Sequence, residues 1–368
     1  MSPPSPAACF SRCYAEARSA FLEATAKSGG ELTSIRHPLR GPDGGSLFLD
    51  AARFGSAYAR RVLFVASGTH GIEGFCGSGI QGFLLGDGLA RRLFKDVALV
   101  LVHAVNPWGF AWLRRVNEDN VDLNRNFLDH AAPYPENPEY DALYDVVNPP
   151  KLDAEAALAT HAALRALAQE RGSAAVYRAV SGGQYAHPRG VQFGGRAPAW
   201  SNRSLRELWA RHAAGAELAV NIDLHSGLGP RGVGLVLQTA RQDALDARLA
   251  RAWWPDVIRA EPAQGSDAAL VSGLIGPAFV AAHAAGVGIV LEFGTLEMAQ
   301  VIEAVQADNW LHHHGRRDSD EGRATQRRMR DAFFLEEVDW QEKVCARALE
   351  VVERALVGML AFGREDRA

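Results

Sequence analysis

Five short apolar runs constrain this chain of 368 residues more than any other feature: 61–66 (RVLFVA), 97–102 (VALVLV), 218–223 (LAVNID), 233–238 (VGLVLQ) and 288–292 (GIVLE). Each is too short for a helix and lacks the polar alternation of a strand with one wet face, so each predicts a strand buried on both faces. Helical stretches lie between them, at 74–85, 152–170, 203–215 and 241–254. Buried strands alternating with helices predict an α/β fold, a mixed and largely parallel twisted sheet with helices on both faces. Residues 10–27 add a helix, residues 46–54 alternate like a strand, and from 321 onward the chain reads as amphipathic helix on the outside of the sheet. The pattern predicts a single domain over 1–368, with an insertion at about 128–200 that is rich in Pro, Gly and aromatics before it turns helical. Such a segment either walls a site or forms a surface subdomain with no part in the chemistry.

Composition narrows the partners. An apolar fraction of 48 % with 22 % charged residues supports a sizeable core. The formal net charge is −4 and the basic residues are scattered, which argues against a nucleic-acid partner. No apolar stretch reaches membrane-spanning length, and the N-terminus lacks a basic segment followed by an apolar one, so a cytoplasmic protein with neither membrane partner nor secretory signal is expected. Four cysteines (Cys9, Cys13, Cys76 and Cys345) are too few for a disulfide framework, and Cys76 reads as a small buried side chain.

The polar residues that stand out follow the strands. His70 and Glu73 come after the first, Asn106 and Arg115 after the second and His225 after the third, while Glu292 closes the last. Ligands of open α/β sheets bind at the carboxyl ends of the strands, so these residues converge on one rim. In Gly68-Thr-His-Gly-Ile-Glu-Gly74, the histidine and the glutamate sit three apart, between glycines that let the backbone turn. By itself that spacing is weak evidence. With His225 in Asn221-Ile-Asp-Leu-His-Ser-Gly227 it completes two imidazoles and a carboxylate, the donor set of a hydrolytic zinc site, and predicts one Zn2+ per chain held by His70, Glu73 and His225.

A dense polar run, Arg114-Arg-Val-Asn-Glu-Asp-Asn-Val-Asp-Leu-Asn-Arg-Asn-Phe127, extends the pattern. Asn106-Pro-Trp-Gly109, Arg115, Val121-Asp-Leu-Asn-Arg-Asn-Phe127, His225 and Glu292 follow His70 and Glu73 in an order that resembles the zinc carboxypeptidases, the carboxypeptidase A-like superfamily. More distantly the chain is similar to the aspartoacylase and succinylglutamate desuccinylase group. Pro135-Glu-Asn-Pro138, Gly182-Gly-Gln-Tyr185, Pro198-Ala-Trp-Ser-Asn202, Leu291-Glu-Phe-Gly-Thr295 and Asp308-Asn-Trp-Leu311 resemble a bacterial, metallopeptidase-like branch of the superfamily.

The resemblance implies a zinc-dependent metallopeptidase that cleaves an amide bond near a free carboxylate, in a small peptide or an N-acyl amino acid. It implies Glu292 as general base and proton shuttle, and Arg115 as the cation facing the oxyanion. Asn124 and Arg125 would grip the substrate carboxylate, and Asp122 would orient His70. Arg114 and the run His312-His-His314 are expected on solvated surface. Zinc carboxypeptidases carry a tyrosine shortly before the catalytic glutamate, yet no tyrosine lies between His225 and Glu292. Either Tyr185, which with His187 lies in a Gly- and Pro-rich loop of the insertion, supplies that hydrogen bond, or the pocket takes another substrate. An N-acyl-amino-acid deacylase is the alternative enzyme, and a non-catalytic binding module on a hydrolase scaffold the alternative outside enzymes.

Overall fold

The computed structural model describes residues 5–239, 244–259 and 271–363. Its centre is an eight-stranded sheet of β1 (Glu31–Arg40), β2 (Ser46–Phe54), β3 (Arg61–Ser67), β4 (Val97–His103), β5 (Leu218–Arg231), β6 (Gly234–Gln238), β7 (Ile258–Arg259) and β8 (Gly286–Gly294). The strands lie in the order β1-β2-β4-β3-β5-β8-β6-β7. The inner four are mutually parallel, whereas β2 on β4 and β6 on β8 are antiparallel, so the mixed sheet expected from the sequence has its parallel part in the middle. Parallel neighbours need a crossover between them, and the helical stretches supply it.

Because successive side chains point to opposite faces, each central strand feeds two cores. On one face Leu63, Val65, Leu99, Leu101, Val220 and Ile222 pack against the helices Tyr14–Lys27, Gly74–Gly86 and Val338–Ala361. On the other, Val62, Phe64, Val100, Val102 and Ala219 pack against Trp200–His212 and Ile275–Ala281. Burying both faces is what produced apolar runs without alternation.

The helix read at 241–254 is Leu245–Trp253, and the first three residues of the expected range lie outside the described ones. The insertion contains the helices Pro138–Val147, Ala154–Arg171 and Ser173–Ser181. Tyr140, Val147 and Val191 give it a small core of its own. The helix Met298–His314 anchors it: Gln306 donates to the Val147 carbonyl at 2.8 Å, and Trp310 donates to the Pro150 carbonyl at 2.9 Å.

Two differences from the sequence reading affect the site. β1 has no apolar run because it is an exposed edge strand. β5 continues past residue 223, so His225 lies within the strand and not after it, and β8 runs two residues past Glu292. No helix of the described residues is long and apolar enough to cross a membrane.

Candidate metal centre

After β3 the chain turns at Gly68, whose φ of +66° suits glycine. It then forms a single 3-10 turn, Gly71–Glu73, that runs into the helix Gly74–Gly86. Gly71 has no room for a side chain: a Cβ there would lie 2.2 Å from the Gly109 carbonyl carbon and 2.3 Å from the Phe110 nitrogen. The amides of Gly71 and Ile72 donate to the carbonyls of Arg115 and Arg114 at 3.0 and 2.9 Å. The segment after β4 therefore clamps the turn that presents His70 and Glu73. In the parallel pair β5·β8, His225 stands opposite Glu292. Parallel partners share a face of the sheet, and so do Asp223 and His225, two residues apart on β5. Past Ser226 the register breaks until Arg231, and the freed Leu228 amide donates to Glu292 Oε1 at 3.1 Å.

His70, Glu73 and His225 are all buried, and one donor atom from each lies within 4.8 Å of the others; among the described residues this is the only such group of His, Cys, Asp or Glu. Nε2 of His70 is 3.1 Å from Asp122 Oδ1, and Nε2 of His225 is 2.9 Å from Asp223 Oδ2. Those carboxylates hold the ring hydrogens at Nε2 and leave both Nδ1 lone pairs facing inward. The two Nδ1 atoms are 3.2 Å apart, and the Glu73 carboxylate lies 2.8 Å from one and 2.9 Å from the other. Three acceptors aimed at one another repel unless a cation or proton sits among them. Two imidazole nitrogens and a carboxylate oxygen suit zinc and leave one coordination position open. The residues present fit that ion.

The electrostatics agree. Burial opposes ionisation of Glu73, but His70 and His225 hold its carboxyl far below the usual range. Burial likewise works against Asp122, and Arg115 and His70 outweigh it. His225 is buried as well, yet Asp223 and Glu73 raise its pKa well above that of free imidazole. Glu292 behaves in the opposite way: burial first, then the neighbouring Glu73, push its carboxyl up to about 8. Two carboxylates on one rim thus differ in proton affinity.

The other expected site residues are close by but engaged. Arg115 pairs with Asp122 through a short hydrogen bond, and its Nε lies 3.9 Å from Glu73. Asn124 accepts from the Ile275 amide at 3.0 Å. Arg125 directs Nε to the Ser181 carbonyl at 3.0 Å, Nη2 to the same oxygen at 2.6 Å and Nη1 to the Asn124 carbonyl at 2.5 Å. The Tyr185 hydroxyl donates to the Arg125 carbonyl at 2.7 Å, and its ring stacks on Tyr134. His187 bonds Asp141 at 2.8 Å and stacks on Tyr144. Cys76 is buried, as expected, and burial pushes its thiol pKa up.

One surface expectation is overturned and a second holds only in part. Arg114 is 1 % exposed, with Nε on Asp308 at 2.9 Å and Nη2 on Asn120 at 3.0 Å. Its sequence neighbours gave no sign of a partner almost two hundred residues away. His312 and His313 are half-buried, and burial next to arginines lowers them to about 3 and about 4; only His314 is exposed. The sequence reading also passed over Asp223. Its position two residues before His225 on a strand was a signal that could have revealed it.

Solved structures with this arrangement of strands and helices exist. Bovine thrombin-activatable fibrinolysis inhibitor, in complex with tick carboxypeptidase inhibitor, matches 95 % of this chain and 97 % of its own at 12 % identity and a TM-score of 0.52. A second structure of thrombin-activatable fibrinolysis inhibitor matches 95 % and 77 % at 11 % identity and a TM-score of 0.54. Carboxypeptidase A from Helicoverpa armigera matches 87 % and 74 % at 15 % identity and a TM-score of 0.47. At such identities the first two likenesses establish a carboxypeptidase-like fold and nothing finer. A search of curated proteins gave no match. Over residues 10–347 the sequence matches the family described as "Protein of unknown function (DUF2817)", and the chain belongs to that family.

Proposed function

We propose that this protein is a zinc-dependent hydrolase that cleaves an amide bond next to a free carboxylate. The observation that carries the reading is the buried convergence of His70 Nδ1, His225 Nδ1 and the Glu73 carboxylate, with Glu292 beside His225 across the strand pair. A zinc ion held there would supply Lewis acidity and lower the pKa of water to about 7.

The chain's own residues account for the rest. Glu292, opposite His225 across the strand pair, takes the proton of the attacking water at its carboxylate and passes it to the leaving amine. The Leu228 amide fixes one of its oxygens. Arg115 is a guanidinium locked beside the ligand set by Asp122, suited to stabilising negative charge as it develops on the substrate oxygen. Arg125 and Asn124 would hold the substrate carboxylate. Arg125 would then exchange the Ser181 carbonyl for the carboxylate, an acceptor with a full negative charge and two oxygens that match the guanidinium fork.

The absence of a tyrosine from 226 to 291 favours a second reading, deacylation of N-acyl amino acids by the same centre. Tyr185, the substitute expected from the insertion, spends its hydroxyl on the Arg125 carbonyl. The test is turnover by zinc-loaded protein of three panels: short peptides with free C-termini, the same peptides as C-terminal amides, and N-acyl amino acids. Hydrolysis of the free-carboxylate peptides alone, reduced at least ~100-fold in Glu292→Gln with zinc retained, is the expected result. Turnover of the N-acyl amino acids alone would establish the deacylase. No turnover in any panel, or full activity in Glu292→Gln, would overturn the proposal.

A further inference from the structure

Two residues outside the ligand set join its two halves. Thr69, the residue before His70, donates its hydroxyl hydrogen to Asp223 Oδ1 at 2.8 Å. The other carboxylate oxygen of Asp223 accepts from His225 Nε2 at 2.9 Å. All three side chains are buried, with Thr69 at 0 %, Asp223 at 1 % and His225 at 3 % exposure. The turn that carries His70 and Glu73 is thus bonded, through one hydroxyl and one carboxylate, to the ring of the ligand on β5.

The two ligand histidines are braced differently. Asp122 holds His70 but also pairs with Arg115 and accepts from the Asn124 amide, so its charge is shared among several donors. Among the described residues Asp223 forms no ion pair with a lysine or arginine; its partners are the Thr69 hydroxyl and the His225 ring. A buried carboxylate without a cation of its own is costly unless its neighbour carries positive charge. Asp223 therefore favours a positively polarised His225 imidazole, the state created when a cation binds at Nδ1.

We propose that Thr69 and Asp223 are positioning residues which lock the His225 ring against the His70–Glu73 turn and thereby set the affinity of the centre for its metal. Asp223 fixes the tautomer and the ring plane of His225. Thr69 fixes the carboxylate, and it ties the spacing between the β3 turn and β5 to the spacing between the ligands. The inference rests on the zinc reading above and deepens it.

The experiment is zinc affinity measured by competition with a chromophoric chelator, on Thr69→Val, Thr69→Ser, Asp223→Asn and unmodified protein, with far-UV circular dichroism confirming the fold. Thr69→Val keeps the side-chain shape and removes the hydroxyl. It should weaken zinc binding about tenfold, Thr69→Ser should restore it, and Asp223→Asn should weaken it by about 10–100-fold. Should Asp223→Asn fail to fold, the Val/Ser pair at residue 69 decides the matter. Affinities within about twofold of the unmodified protein in both Thr69→Val and Asp223→Asn would overturn the positioning role and leave the metal centre standing. Unmodified protein that takes no zinc from the chelator would instead overturn the metal centre itself.

Discussion

His103 closes β4 with no hydrogen-bond partner on either ring nitrogen and no solvent exposure. It stacks on Phe21 at 4.7 Å between centroids and has Tyr14 and Phe110 within 6.5 Å. Burial lowers its pKa to about 4 from the usual 6.5. The unfolded chain therefore binds a proton that the folded chain refuses, and stability is lost as the pH falls through 6.5 toward 4. Each tenfold difference in proton affinity is worth about 1.36 kcal/mol. Integrating the difference in protonation between about pH 7.5 and about pH 5 gives a loss of about 2 kcal/mol from this one ring. His103→Phe keeps an aromatic ring among aromatic neighbours and cannot titrate. Its packing change shifts stability by the same amount at every pH, and the other depressed histidines cancel when the two proteins are compared. Urea unfolding followed by tryptophan fluorescence, with a chelator present in both samples, should show His103→Phe gaining about 2 kcal/mol on the unmodified protein over that interval. A difference that stays constant to within about 0.5 kcal/mol would show that the ring is solvated or paired, and the reasoning from burial would fail.

Gly71→Ala should cost at least about 1–3 kcal/mol and lower zinc content, because its Cβ would press on the Gly109 and Phe110 backbone and displace the turn that carries two ligands. Thermal unfolding and metal analysis check this, and an unchanged melting temperature with full zinc content would refute the clamp. Asp308→Ala should destabilise the protein by about 3–5 kcal/mol, since it leaves Arg114 buried without its carboxylate. A loss below about 1 kcal/mol in urea unfolding would show that the pair is solvent-accessible.

Legibility in the sequence followed burial. The runs at 61–66 and 97–102 lie within a residue of β3 and β4, because strands covered on both faces leave a continuous apolar signature. β1 escaped notice: as an exposed edge it needs only backbone pairing to β2, and Glu31 to Arg40 shows no apolar run. At the site, His70, Glu73 and His225 were recognisable as a donor set because their chemistry is specific. Arg114 was not, because its burial depends on Asp308, which reaches it only through the fold. The segments Asp308-Asn-Trp-Leu311 and Pro198-Ala-Trp-Ser-Asn202 stood out in the sequence without a role. Asp308 holds Arg114, Asn309 and Trp310 fasten the insertion, and Asn202 bonds the Asn126 carbonyl.

The pairing of His225 with Glu292 has a consequence for how such a protein can change. Backbone register sets the distance between these two side chains, so their spacing does not depend on the length of the chain that connects them. Loop closure becomes only slowly more expensive with length, about 0.6 kcal/mol for each doubling. The connection between β6 and β8 also carries the helix Ile275–Ala281, which packs on the sheet and holds Asn124 through the Ile275 amide, so only changes that spare this helix leave the surroundings of both groups in place. Through any such change His225 and Glu292 stay side by side, because their spacing is a property of the sheet and not of the chain between them.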